Sequence, residues 1–298
     1  MTLVTVAICT WNRAPLLRRA LESLGAIELP EGVRFELLVV DNGSSDETSA
    51  VLREHASALP LRVVAEPEPG LSHARNRATA EARGELMVWT DDDVQVEPEW
   101  LAAYVEASRR HPDASFFGGA SLAWFEQPPP AWIAESWERL ADIWAIRLLP
   151  PEPAPIDRTR LPVGANFAIR TGLQRRHAYD PRLGRRRRER VSGEETAVLR
   201  RLLADGESGW WVPAARVRHW IPAERLAEPY LREIWFGQGC ERALTRSGAP
   251  RPRLRLLARA LRAEARYRVS RRLSQPAKWL RELERAQNRW GELSASPR

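Results

Sequence analysis

Residues 1–110 alternate short apolar runs with amphipathic stretches. LVTVAIC (3–9), FELLVVD (35–41), LRVVAE (61–66) and LMVWT (86–90) are nearly unbroken apolar segments bounded by turn residues, a pattern that predicts strands buried on both faces. Between them, leucines repeat at helical spacing from Pro15 to Leu24, and helical patterns run from about Asp46 to Ala58 and from Ser72 to Ala82. Pro15 falls in a first helical turn, where its missing N–H leaves no bond unmade. Strand–helix alternation of this kind predicts an α/β fold, with a mostly parallel central sheet covered by helices. Ligands of such sheets bind beyond the carboxyl ends of the strands. Three of the four predicted strands end in polar residues: Thr10-Trp11-Asn12-Arg13, Asp41-Asn42 and Asp91-Asp92-Asp93.

The pattern then loosens. Residues 127–155 are rich in proline and tryptophan and predict a loop with short helices. LPVGANFAIR (161–170) predicts a strand, RRRRER (185–190) a charged loop, and GEETAVLRRLLADG (193–206) a helix closed by Gly206. WWVPAARVRHW (210–220) alternates as a strand, and helices follow from about Glu224 to Arg246 and along 251–290, broken near Pro276. The expected organisation is a catalytic domain over 1–247, with halves 1–110 and 111–247, and a basic amphipathic helical tail over 248–298. Charge follows that division. The formal net charge is +7, yet the segment from Arg251 onward holds 14 basic and 4 acidic residues, so the rest of the chain is slightly acidic.

Composition narrows the classes. Only two cysteines occur, Cys9 and Cys240, which argues against a disulfide scaffold or a cysteine zinc site and suits a reducing compartment. No stretch approaches the roughly 18–20 apolar residues that a membrane span requires, and the opening apolar run reads as a first strand rather than a leader. The expectation is a cytoplasmic protein, with the inner face of the plasma membrane as the place where a basic tail would bind.

Candidate chemistry gathers at the strand ends. Two carboxylates brought to one side by the period of an extended chain, Asp91 and Asp93, suit a hard divalent cation that leaves positions open for phosphates; Asp92 would then face away. A solvated acidic loop is the plain alternative. Asp41, in VVDNGSSD, can accept hydrogen bonds from a base or ribose, or can simply form an Asx-turn before a helix. Arg75, in GLSHARNRA, can pair with a nucleotide or its phosphates, or can lie on a solvated helix face.

The order of these pieces carries more than any one of them. TWNR, VVDNGSSD, GLSHARNRA, the strand into DDD, VGANFAIR, GEETAVLRRLL and VRHWI together resemble glycosyltransferase family 2 of the GT-A fold, from about Thr5 to Gly239. The resemblance implies an enzyme that moves a sugar from a nucleotide-diphospho-sugar, with UDP the default nucleotide, to a hydroxyl of a glycan or lipid-linked acceptor. It implies that Thr10, Trp11, Asn12, Arg13 and Asp41 line the nucleoside pocket, that Arg75 contacts the nucleotide, and that Asp91 and Asp92 lie on the donor side. It implies further that Asp93, with Asp91 and His219, holds Mn²⁺ or Mg²⁺, and that Gly164-Ala165-Asn166 form part of the floor beneath the sugar and acceptor. The family places a catalytic base in a Glu-Asp pair at a helix start. Here the pair is Glu194-Glu195, so Glu195 is the expected base, one methylene longer than the aspartate of the family pattern, and Glu194 its substitute. The plain reading of that pair is an acidic first turn favoured by the helix dipole.

The basic tail has two readings: an arginine-rich helix pair on an anionic membrane surface, or leucines packed on the protein with solvated arginines. Binding of nucleic acid through that tail is a rival class, opposed by the slightly acidic remainder and by the lack of interleaved aromatic and basic strands. A nucleotidyltransferase also uses paired carboxylates and a metal, but the glycine-rich phosphate loop expected after its first strand is missing.

Overall fold

A computed structural model of the chain describes residues 2–148, 150–186, 191–246 and 252–296. In chain order the elements are β1 (Thr2–Thr10), α1 (Ala14–Leu24), β2 (Val33–Asp41), α2 (Thr48–His55), β3 (Leu61–Ala65), α3 (Leu71–Glu81), β4 (Leu86–Thr90), β5 (Val94–Val96), α4 (Trp100–Arg110) and β6 (Ala114–Phe125). There follow α5 (Ala131–Ala134), α6 (Trp137–Leu140), β7 (Ala154–Ile156), β8 (Asn166–Arg170), α7 (Thr171–Gln174), α8 (Glu194–Ala204), β9 (Ser208–Ile221), α9 (Glu228–Leu244), α10 (Arg253–Leu273) and α11 (Pro276–Ala295). They fall into two compact units: Met1–Trp124 with Trp144–Pro181 and Glu194–Trp220, and Phe125–Ile143 with Arg182–Gly193 and Ile221–Arg298.

The first unit is built on one sheet of order β3-β2-β1-β4-β8-β6-β9-β5, with β7 beside β9. Alternate residues of its strands feed two apolar layers. Val4, Val6 and Ile8 face one, while Ala7, Leu38, Val40, Met87 and Trp89 face the other, which is why these strands read as unbroken apolar runs. The pairings among β3, β2, β1 and β4 are parallel. Beyond β4 the sheet turns antiparallel, through β4–β8, β6–β8, β5–β9 and β7–β9, so the central sheet is mixed.

Register fixes where the chemistry lies. Thr10 pairs with Asp41 at one end of β1–β2, Thr90 pairs with Asn166, and Val94 pairs with His219. Strand β6 has no counterpart among the predicted elements. Its Gly118-Gly119 look like a turn in sequence, yet both lie mid-strand because neighbours leave no room for a side chain. A Cβ at Gly119 would stand 2.5 Å from Asn166 Nδ2 and 2.6 Å from the Tyr104 hydroxyl, and one at Gly118 would stand 2.6 Å from Pro162. Neither Cys9 nor Cys240 is in a disulfide.

The second unit is helical. Helix α11 packs against both α9 and α10. Gly239 and Gly291 bring α9 and α11 into backbone contact, where a Cβ on either would collide with the other helix. Trp279, Leu280, Leu283 and Ala286 of α11 are buried. Among the described residues no helix is long and apolar enough to cross a membrane.

Candidate active site

The three aspartates do not continue β4. They occupy the turn between β4 and β5, so the period-two alternation expected of an extended segment does not hold there. Asp92 is the one drawn inward. It is 4% exposed and accepts bonds from the Thr10 hydroxyl at 2.8 Å and from Arg13 Nη1 at 2.8 Å. The same Arg13 nitrogen reaches Asp93 at 3.0 Å, and Asp93 Oδ1 lies 3.2 Å from His219 Nε2. Burial pushes the Asp92 carboxyl up, opposed chiefly by the Arg13 guanidinium. The facing carboxylates in turn hold Arg13 firmly protonated. Asp91 is a third exposed and turns the other way, towards Arg75 Nη2 at 3.6 Å.

The turns after β1 and β2 are tied to each other. Asn12 has a left-handed backbone (φ 51°), a conformation asparagine tolerates. Its Oδ1 accepts from the Ser45 and Asp46 N–H groups at 2.7 and 3.3 Å. Asp46 closes the loop by accepting from the Ala14 N–H at 3.0 Å, at the start of α1. Asp41 forms the Asx-turn, accepting from the Ser44 N–H at 2.9 Å, and Trp11, which precedes Asn12, is exposed. Asn42 is committed to the scaffold through Glu66 O, Glu68 O and the Gly70 N–H.

Arg75 is the hub of the other side. It is 3% exposed on α3, with Nε 3.4 Å from Glu194 Oε1, and its Nη2 donates to Gly164 O at 3.3 Å. Its guanidinium carbon lies 4.9 Å from the Trp89 ring centroid, 5.6 Å from Tyr179 and 5.9 Å from Phe167. Burial works against the Arg75 charge, and Tyr179, Glu194, Asp91 and Glu195 hold it protonated, with the three rings adding cation–π contact. Asn76, the next residue, exchanges two bonds with the Tyr179 backbone and fixes that ring's position. Sequence reasoning finds Arg75 but not this cage. Trp89 is legible only as a strand residue, and nothing local marks Tyr179.

The carboxylate pair opens α8. Glu194 is buried beside Arg75, and its carboxyl is pushed up to about 8, first by burial and then by the Glu195 charge, with Arg75 opposing. Glu195 is half-buried, and its carboxyl carbon would lie 3.2 Å from a Cβ placed on Gly164, whose other neighbour at 2.9 Å is Arg75 Nη2. Glycine at 164 is thus what lets Arg75 and Glu195 approach the same backbone. Asn166 is spent on the fold. It accepts from Trp100 Nε1 (2.8 Å) and the Tyr104 hydroxyl (2.7 Å), and donates to Ala120 O and Ala215 O (2.9 and 2.8 Å). All four of an amide's bonding capacities are then in use. Of RRRRER, residues 187–190 lie outside the described residues.

Whether these groups suit a divalent cation is a question of donor chemistry. Asp93 offers carboxylate oxygen, His219 an imidazole nitrogen, and His219 Nδ1 is buried without a hydrogen-bond partner. Among the described residues no group of three His, Cys, Asp or Glu side chains forms a ready cage. Magnesium and manganese sites that complete their shell with substrate phosphates and water need only one or two protein ligands, and the residues present fit that kind of site.

The mixed sheet with its covering helices is that of the GT-A fold. The chain superposes on the mannosyltransferase PcManGT from Pyrobaculum calidifontis, solved with GDP-Man and Mn²⁺, with a TM-score of 0.60 at 20% identity, over 83% of this chain and 65% of that one. It superposes on S. aureus TarS 1-349 in complex with UDP-GlcNAc with a TM-score of 0.53 at 16% identity, over 84% and 68%. In sequence, residues 5–141 match the model for Glycosyl transferase family 2. Succinoglycan biosynthesis protein ExoM of Rhizobium meliloti is 27% identical over 246 residues, 79% of this chain and 72% of that protein. Together these comparisons support a family 2 glycosyltransferase.

Proposed function

We propose that the protein is a metal-dependent, inverting glycosyltransferase that moves a sugar from a nucleotide-diphospho-sugar, a UDP-sugar by default, to a hydroxyl of a glycan or lipid-linked acceptor. The observation that carries this reading is the junction at Arg75. One buried arginine touches Asp91 of the acidic turn, the Gly164 carbonyl and Glu194 of the carboxylate pair, joining a donor-side group to a base-side group. The neighbours solved with GDP-Man or UDP-GlcNAc support a nucleotide-sugar donor.

In this reading Trp11, Asn12, Arg13 and Asp41 bind the nucleoside. Asp92 holds Thr10 and Arg13 in place through its two oxygens, and Arg75 orients Asp91 towards the donor. Asp93 and His219 would hold Mn²⁺ or Mg²⁺, while Asp91 faces Arg75 on the donor side; the ion would supply charge neutralisation to the departing diphosphate. Glu195 takes the proton from the acceptor hydroxyl as it attacks the anomeric carbon, in a single displacement that inverts the configuration. Glu194 is a positioning residue, since a carboxyl with a pKa of about 8 is mostly protonated at neutrality and cannot accept that proton. The protein acts in the cytoplasm, and its basic tail, 248–298, brings it to the inner face of the plasma membrane.

The test is a melting-temperature panel with UDP, GDP and dTDP, each with and without Mn²⁺. One nucleotide raises the melting temperature, and the metal-dependent part of the rise disappears in Asp93→Ala. No response to any nucleotide overturns the donor site.

A further inference from the structure

Helix α10 has two apolar faces, and only one of them is covered. Leu256, Ala260, Tyr267 and Ser270 are buried. The Tyr267 hydroxyl donates to Glu228 at 2.6 Å, the Arg232 guanidinium lies 4.7 Å from the Tyr267 ring, and Arg271 lies 4.4 Å from the Trp279 ring. These contacts bind α10 to its neighbours in the helical unit. On the opposite side Leu254, Leu257, Leu261 and Val269 are exposed, Leu254 by 81% and Val269 by 59%. With Ala258 and Ala265 between them they form one stripe at the 3.6-residue period. Rows of exposed aliphatic side chains are seldom left to water without a partner.

Charge says which partner. Helix α10 carries eight arginines and one glutamate, Glu264, which is paired to Arg268 at 3.2 Å. Arg255, Arg262 and Arg266 are exposed and flank the stripe at helical spacing, where long stems can lie along an apolar layer while their guanidinium groups reach outward. A second copy of the same face would set arginine row against arginine row. The stripe offers no ring on which a nucleic-acid base could stack. Helix α11, by contrast, buries its apolar residues and carries Glu282, Glu284 and Glu292.

We infer that the outward face of α10, and not the basic tail as a whole, is an interfacial helix that seats Leu254, Leu257, Leu261 and Val269 in a lipid surface and pairs Arg255, Arg262 and Arg266 with anionic headgroups. It deepens the membrane reading above but does not depend on which nucleotide the active site binds, so the two fail separately.

Co-sedimentation of the full chain with vesicles tests it, using phosphatidylcholine alone and a mixture with phosphatidylglycerol. Binding to the anionic mixture only, weakened by salt, is expected. Arg262→Gln with Arg266→Gln lowers the partition coefficient about thirtyfold, at about fivefold per surface arginine. A charge-matched control on α11, Lys278→Gln with Arg281→Gln, changes it by less than about threefold. Leu254→Ser with Leu261→Ser, which leaves the charge alone, also weakens binding. Unchanged melting temperature and nucleotide response in each variant keep folding out of the comparison. Three results overturn the inference: no preference for anionic vesicles, equal losses from the α10 and α11 pairs, or self-association that the leucine variant abolishes.

Discussion

Two acidic clusters in the first unit are each built around one arginine, and that arginine is shared differently in each. At the β4–β5 turn, Arg13 serves Asp92 and Asp93 together, while Thr10 and His219 add bonds to the same two carboxyls. At the start of α8, Arg75 is divided among Asp91, the Gly164 carbonyl and Glu194, with Glu195 pressing from behind. One cation and several donors there oppose the burial that raises the Asp92 carboxyl. One cation shared several ways, under nearly complete burial, lets Glu194 rise to about 8. The same residue types therefore give an arginine clamped by two carboxyls at the turn and, at α8, a protonated carboxyl beside a more accessible one.

The largest effect should break that division directly. Glu195→Gln is expected to lower turnover about a hundred- to ten-thousandfold, the usual worth of a positioned general base, with the nucleotide-induced rise in melting temperature unchanged. Turnover within about tenfold of the parent would return the base to Glu194 or move it elsewhere.

Arg75→Met removes the shared cation but keeps an apolar chain for the Trp89, Phe167 and Tyr179 rings. Glu194 then loses the charge that opposes its protonation and keeps its proton above pH 8. In urea titrations the stability gap to the parent should be flat from about pH 5 to 7 and widen by about 1.4 kcal/mol per pH unit above 8. In a Glu194→Gln background the same substitution should show no widening, as a coupled pair requires.

Asn166→Ala separates scaffold from site. It strands the Trp100 and Tyr104 donors and two buried carbonyls, which should cost about 2–4 kcal/mol at about 1–3 kcal/mol per orphaned group, relaxation and water recovering part. Nucleotide affinity should stay within about threefold if Asn166 acts only through the fold. A larger loss of affinity at unchanged stability would put it in the donor pocket.

How much of this was legible depends on whether the cause is local. The first four strands and the helices between them are written in unbroken apolar runs and helical leucine spacing, and they appear within a few residues of where those patterns lie. Strand β6 is not, because Gly118 and Gly119 answer to Pro162, Tyr104 and Asn166, which are distant in sequence. The acidic turn was legible as a cluster of charge but not as a turn. Its geometry is set by Arg13 and Thr10, which fold Asp92 inward and so undo the simple alternation. Arg75 was visible as a residue, whereas its role as a junction needs Gly164, Tyr179 and Glu194 brought to it by β8, the 175–181 segment and α8. The tail's two readings divided by helix: α11 buries its apolar residues and α10 keeps a second stripe outside.

The remaining effect is the sharpest on protonation. The Glu194 carboxyl moves from an ordinary value of 4.5 to about 8 in the folded chain. Below about pH 4.5 both states hold the proton, and the group contributes no pH dependence. Between 4.5 and 8 the folded state keeps a proton that the unfolded state has lost, so stability falls as pH rises; above 8 both have lost it and the slope ends. Glu194→Gln imitates the protonated form and cannot titrate. Its stability should lie within about 1 kcal/mol of the parent near pH 5 and exceed it by roughly 2–4 kcal/mol near pH 8, at 1.36 kcal/mol for each unit of displacement. Urea titrations at closely spaced pH values measure the difference. Parallel curves for the two proteins across that window would mean that Arg75 offsets the burial of Glu194 in full, and the contrast between the clusters would be gone.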